Sequence, residues 1–409
     1  MASAPTRTRP RRPAPAPPPE PAPRARAPQP GGDDRRNAGV DGLRALAALS
    51  VFAFHIYLYG RQSQATEAWE QIPLRFSIGL ILFFVVSGYL LYGGFARAAR
   101  RQQSTVDSRS YLKRRAARIL PAYYVCLLAV YPLLVSIEPT RGVKIPETGD
   151  LWLFAVMGQN FSLDTLLKLN PVIWTLQVEL AFYVLLPLLG LFAFHVARGR
   201  LAPQVWMAVC LIVFGIAWNV FTLLADLPQT WQKQLPAYLP YFAFGILAAL
   251  FMDRRAARGT GDLPVRATAL LVIAGAALIV GESWWRATTS GSFERDLLVV
   301  VHNTPAGVGF GLMAVAVAGG TGRWAGWARV RPLAWLGLIS YGIYLWHLPV
   351  ILYLKHLGLE GQGYLPLVAA ALPVTVALGA ASWYLVERPL IDRAHGRRRR
   401  RPQSAPATA

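Results

Sequence analysis

The chain has 409 residues, of which 54% are hydrophobic and only 15% charged, and its mean hydropathy is +0.35. That balance excludes an ordinary soluble enzyme, in which about a quarter of the residues are charged. The formal charge of +21 is spread as arginines between apolar runs with no RNA- or DNA-binding motif beside them, which points to membrane topology and anionic headgroups and away from nucleic acid.

Residues 1–36 are Pro, Ala and Arg without an apolar period and are predicted to form a disordered basic cytoplasmic tail. Ten apolar runs follow, at approximately 39–59, 74–96, 118–137, 172–195, 204–225, 236–252, 266–282, 297–319, 332–354 and 364–386. Each is near the length that crosses about 30 Å of hydrocarbon. The first is not expected to be a cleaved signal peptide, because it follows the long tail and contains charges.

Basic connections alternate with basic-poor ones. The tail, the 97–117 loop, Arg198 and Arg200, Arg254 to Arg258, Arg323 to Arg331 and the Arg397 to Arg401 run fall on one side. Glu67, Glu70, Glu138, Glu147, Asp150 and Asp164 fall on the other. The positive-inside rule then predicts an all-α integral membrane protein of about ten transmembrane helices with both termini cytoplasmic. Its membrane domain covers 37–390, and 391–409 is a basic cytoplasmic tail. Cys126 and Cys210 lie in predicted spans without metal-ligand spacing, so no metal site is expected.

The first span carries Asp41, Arg44 and His55. Titratable groups inside lipid are costly and are functional suspects by default. At 100° per residue, the interval from Arg44 to His55 returns to nearly the same face while rising roughly 16 Å. The alternative makes Asp41 and Arg44 interfacial anchors and His55 a satisfied bundle residue. In the second span, Gly88 reads as a packing residue, while Ser87 either packs or lines a polar path.

Arg115 and Arg118 project from one face of the third span near its start, beside Tyr123. Guanidinium pairs suit phosphate oxygens, and they also serve as topology signals. Glu179 lies about two turns into the fourth span, beyond Trp174 at its boundary, and requires a partner or a neutral state. The ninth span adds Tyr341, Tyr344, Trp346 and His347. The predicted topology places His55, Glu179 and His347 at a shared depth in the outer half, with Arg44, Arg115 and Arg118 toward the cytoplasmic end. His195, His302, His356 and His395 lie near span boundaries and are weaker candidates.

Five motifs occur in order: Asp41-Gly42-Leu43-Arg44 with His55; Phe83-Phe84-Val85-Val86-Ser87-Gly88-Tyr89; Arg115 and Arg118 followed by Ile119-Leu120-Pro121; Trp174-Thr175-Leu176-Gln177-Val178-Glu179; and Ser340-Tyr341-Gly342-Ile343-Tyr344-Leu345-Trp346-His347. Together they resemble the bacterial acyltransferase 3 family of membrane O-acyltransferases, over about residues 37 to 389. The resemblance implies a plasma-membrane enzyme that moves an acyl group, most often acetyl, from cytoplasmic acyl-CoA to a hydroxyl of a carbohydrate or glycoconjugate.

On that resemblance His55 is the functional histidine, as general base or acyl carrier, with Glu179 and His347 as further catalytic candidates. Arg44, Ser87, Arg115, Arg118 and Tyr123 are candidates for holding acyl-CoA; Asp41, Trp174 and Tyr341 are candidates for acceptor binding or support. Two departures stand out. Thr175 occupies a position where serine is more usual, and the esterase-like domain that some members carry after the last span is absent, so transfer is expected to finish in the membrane domain or on a partner. The competing reading is a proton-coupled transporter or exporter of a sugar-containing substrate with His55, Glu179 and His347 as its relay.

Overall fold

Without water to satisfy its peptide groups, an apolar segment in a bilayer must close its own hydrogen bonds, and the runs do so as helices. The computed structural model describes residues 38–59, 72–103, 107–138, 140–288 and 293–394, with the backbone alone described over 286–288 and 293–302. The tail expected over 1–36, the acidic residues Glu67 and Glu70, His395 and the Arg397 to Arg401 run lie outside the described residues, as does the side chain of His302.

In chain order the principal helices are α1 (Ala38–Tyr59), α2 (Gly79–Arg100), α3 (Ser108–Ser136), α4 (Trp174–Leu191), α5 (Leu201–Leu224), α6 (Leu235–Ala257), α7 (Val265–Thr288), α8 (Phe293–Gly319), α9 (Arg331–Leu338), α10 (Ser340–His356), α11 (Tyr364–Ala381) and α12 (Arg388–Ala394). Eight stretches among the described residues are long and apolar enough to cross a bilayer. They coincide with the first seven expected runs and the tenth, and the protein is an all-α integral membrane protein. α8 occupies the place of the eighth run.

The ninth run differs from expectation. It was predicted as one continuous helix over 332–354, but α9 and α10 meet at an angle of 73°. α9 is drawn across the start of α1, where Gly337 packs against the backbone of Asp41 closely enough that a Cβ would overlap its carbonyl. The last run also extends further than expected: a wide π turn over Ser382–Glu387 leads into α12, so residues 391–394, assigned to a tail, are helical.

Prolines inside α3 (Pro121, Pro132), α4 (Pro187), α6 (Pro240) and α10 (Pro349) are accommodated without ending those helices, as neighbouring helices permit in membranes. Asp107 caps α3, its carboxylate accepting from the Arg109 amide. A second close crossing joins α2 to α6. Gly88 lies against the Phe242 backbone and Gly245 against the Val85 backbone, so a side chain at either would push the helices apart. This bears out the packing role expected for Gly88. Phe182 of α4 stacks on Phe242 with ring centroids 3.8 Å apart and closes the core around that crossing.

Candidate active site

On α1 the exposed residues are Leu46 and, in the last turn, Leu58. Leu46 precedes His55 by nine residues and so stands on the opposite side of the helix. His55 reaches His347 of α10, and Arg44 lies in Coulombic range of Arg118 and Glu179, so both project from the face opposite Leu46 toward neighbouring helices.

At the Tyr59 end of that face, His55 meets His347 of α10. His347 is buried, and its Nε2 lies 3.0 Å from Nδ1 of His55. The same Nδ1 of His55 is 2.9 Å from the Val51 carbonyl, and Nδ1 of His347 is 3.1 Å from the Ile343 carbonyl. A carbonyl only accepts, so each Nδ1 carries the hydrogen. His347 then presents the lone pair of Nε2 to the shared N–H of His55, and Nε2 of His55 is left with its own lone pair. His347 is neutral in this arrangement, and in neutral His55 the nitrogen left to take a proton is Nε2. Phe54, Tyr59 and Tyr344 surround the pair with ring centroids 4.9, 5.9 and 5.7 Å away.

The other end of that face is cationic. Arg44 lies in Coulombic range of Arg118, Asp41 and Glu179. The Arg115 guanidinium sits 5.6 Å from the Tyr111 ring and 5.8 Å from the Tyr183 ring, and its Nε is buried without a hydrogen-bond partner. Among the described residues none of these three arginines closes an ion pair, although Asp41 lies in Coulombic range of Arg44. Arg44 and Arg118 thus lie in range of each other with the carboxylates of Asp41, Glu179 and Glu387 around them.

Glu179 belongs to the arginine end. Its Oε1 accepts from the Ser87 hydroxyl at 3.1 Å and from the Tyr183 hydroxyl at 2.6 Å. The expectation that Glu179 shares the depth of the histidines is corrected by register. Thr175 bonds Tyr344 at 2.7 Å, α4 and α10 run antiparallel, and Glu179 is a turn beyond Thr175 while His347 is a turn beyond Tyr344. The two residues are thus separated by about 10 Å along the bundle.

The remaining candidates divide by what their polar atoms already hold. Tyr123, expected to contact acyl-CoA, is buried and donates to the Phe154 carbonyl at 2.6 Å, tying α3 to the short helix Leu151–Ala155. Tyr341 donates to the Ile119 carbonyl at 2.9 Å, which fixes α10 against α3 beside Arg118. Trp174 packs against Tyr238 with centroids 5.2 Å apart and lies beneath the Lys233 ammonium. Asp41 supplies the backbone surface on which Gly337 rests. His195 is exposed, and His356 meets Thr140 at 2.9 Å on the surface.

Two further residues at the site, and one beside Trp174, were missed in the sequence. Tyr183, one turn after Glu179, carries a signal in its spacing. Glu387 is buried, accepts from Ser382 at 2.9 Å, keeps Oε2 unpartnered and lies in Coulombic range of Arg118 and Arg44. It falls just past the expected end of the last span, where a longer helix would have exposed it as an intramembrane carboxylate. Lys233 sits in a short loop segment and had no periodicity to flag it.

Comparison with known proteins places the chain in a family. Residues 37–384 match the acyltransferase domain family known as acyltransferase 3. O-acetyltransferase OatA of Staphylococcus aureus (strain NCTC 8325 / PS 47) is 23% identical over 86% of this chain and 57% of its own length. Nodulation protein 10 of Rhizobium leguminosarum bv. viciae is 27% identical over 85% of this chain and 92% of its own. YrhL of Bacillus subtilis (strain 168), provisionally named a peptidoglycan O-acetyltransferase, is 26% identical over 86% of this chain and 54% of its own. The chain thus spans a little over half the length of OatA and YrhL. No solved structure matches the chain significantly. With the match running from the start of α1 into the π turn before α12, this multi-pass membrane protein belongs to the acyltransferase 3 family.

Proposed function

We propose that this protein is a membrane O-acetyltransferase that transfers acetyl from acyl-CoA, held at the arginine end, to a carbohydrate hydroxyl presented at the histidine end. The observation that carries this reading is the His347–His55 hydrogen bond, which leaves Nε2 of His55 as a free base on the same face of α1 as Arg44. OatA and YrhL, named for O-acetylation, support the acyl group and the oxygen acceptor. The basic connections at the arginine end support its cytoplasmic orientation.

Arg44, Arg115 and Arg118 hold the phosphates, and the thin pantetheine arm runs along the roughly 16 Å between Arg44 and His55. His55 Nε2 removes the proton of the acceptor hydroxyl as its oxygen attacks the thioester carbon. The imidazolium so formed strengthens the Nδ1–H bond to His347, which acts as a positioning residue. Collapse of the tetrahedral adduct breaks the C–S bond, and the proton on Nε2 passes to the departing thiolate. Acyl capture by Nε2 itself is the covalent variant.

Purified protein supplied with radiolabelled acetyl-CoA and a panel of glycans tests the proposal. Label should reach the glycan in the wild type and in His195→Ala, and not in His55→Ala. Glycan movement in proteoliposomes that is indifferent to acetyl-CoA would instead establish the exporter reading.

A further inference from the structure

Lys233 lies just before α6, at the end of the bundle where α4 begins and the histidine pair sits. Its ammonium is 4.1 Å from the Trp174 ring centroid, the residue is half-buried, and among the described residues the ammonium has neither a hydrogen-bond acceptor nor a carboxylate. A surface lysine ordinarily extends its head into water, and a withdrawn one is ordinarily paired. This side chain is half-buried and lies over an aromatic ring with no anion paired to it.

The position is held from several sides. The Asn160 side-chain amide donates to the carbonyls of both Lys233 and Trp174, each at 2.9 Å. The Gln234 side chain donates to the Asn160 carbonyl at 3.1 Å, and Gln177 accepts from the Asn160 amide at 3.0 Å. The Lys233 backbone is therefore pinned to the first turn of α4, and the ammonium is presented from a built support.

The support connects to the reacting end. Thr175, next to Trp174, bonds Tyr344, and the Tyr344 ring is 5.7 Å from that of His347. Tyr238 continues the same wall from Trp174. A fixed, unneutralised ammonium on this wall attracts an anion, and the aromatic face beneath it stabilises the cation until one arrives.

We infer that Lys233 is a specificity-determining residue that recognises a negatively charged substituent, carboxylate or phosphate, on the glycan acceptor. This rests on the acetyl-transfer reading above and narrows its substrate class to anionic carbohydrate.

The test uses the full chain in detergent with three oligosaccharides that differ only in bearing no charge, a carboxylate or a phosphate. Both direct binding and acetyl transfer are measured. Expected is a preference of the wild type for one or both charged glycans. Lys233→Met should weaken their binding, and raise their KM, by about tenfold or more. It should leave the neutral glycan, kcat and the KM for acetyl-CoA unchanged, and Lys233→Arg should retain the preference. The relative response of the two charged glycans identifies the substituent. Equal binding of charged and neutral glycans, or an equal loss for all three in Lys233→Met, overturns the inference. Charged-glycan binding that depends on Lys233 without any acetyl transfer would uphold the subsite and refute the enzyme reading.

Discussion

His347 accepts a hydrogen bond from His55 across 3.0 Å, joining α10 to α1 inside the bundle. The contact selects one tautomer of His55 and aims its remaining lone pair, the task a carboxylate performs in many hydrolytic sites. A neutral imidazole in that role spares the bundle a second buried charge.

If His55 is the base and His347 orients it, their substitutions should differ in degree. His55→Ala is expected to lower kcat by about 10²- to 10⁴-fold. His347→Ala should lower it by about 10- to 100-fold, as losses of an orienting partner do. KM for acetyl-CoA should hold in both, since neither touches the arginine end. Steady-state kinetics with each substrate varied separately reads this out; a His347→Ala enzyme of full activity would remove it from the mechanism.

Arg115→Ala with Arg118→Ala is expected to weaken acetyl-CoA binding at least about tenfold, because each guanidinium supplies a charge-assisted bond. Binding by the wild type should weaken as salt rises, and less steeply in the double variant. Titration calorimetry at two ionic strengths measures both. Unchanged affinity would reduce the pair to topology signals.

Glu179 accepts from two hydroxyls, so removing one donor differs from removing the acceptor. Tyr183→Phe should cost about 1 kcal/mol of stability, whereas Glu179→Ala leaves both hydroxyls of Ser87 and Tyr183 without their acceptor and should cost more. Glu179→Gln keeps an acceptor oxygen and should fall nearest the wild type. Thermal unfolding in detergent ranks the three; a Gln variant less stable than the Ala variant would contradict the hydrogen-bond account.

Gly88→Ala places a Cβ against the Phe242 carbonyl, while Gly94→Ala meets nothing within 4 Å. The first should destabilise by about 1 to 3 kcal/mol, as overpacking does. The second should be neutral or slightly stabilising, since Ala favours helix. Melting temperatures of the pair decide, with equal values arguing against a tight crossing of α2 and α6.

Much of the architecture was legible in the chain itself. Run length and arginine placement marked the membrane helices, because the hydrocarbon thickness and the cost of unpaired peptide groups act on each segment locally. The interval between Arg44 and His55 placed both on one face, and that face proved to turn toward neighbouring helices. The same local rules marked His347 and Glu179 as residues needing partners, without saying which.

Partner choice came from contacts between helices. The register of α4 against α10, set by Thr175 and Tyr344, carries Glu179 to the arginines and leaves the histidines to each other. The α9–α10 bend, the commitment of Tyr123 and Tyr341 to backbone carbonyls, and the placing of Glu387 and Lys233 likewise depend on neighbours far away in sequence. Helical periodicity reports which way a residue faces along its own axis. Depth and partnership between helices are settled only when side chains interlock, and that information is absent from any single segment.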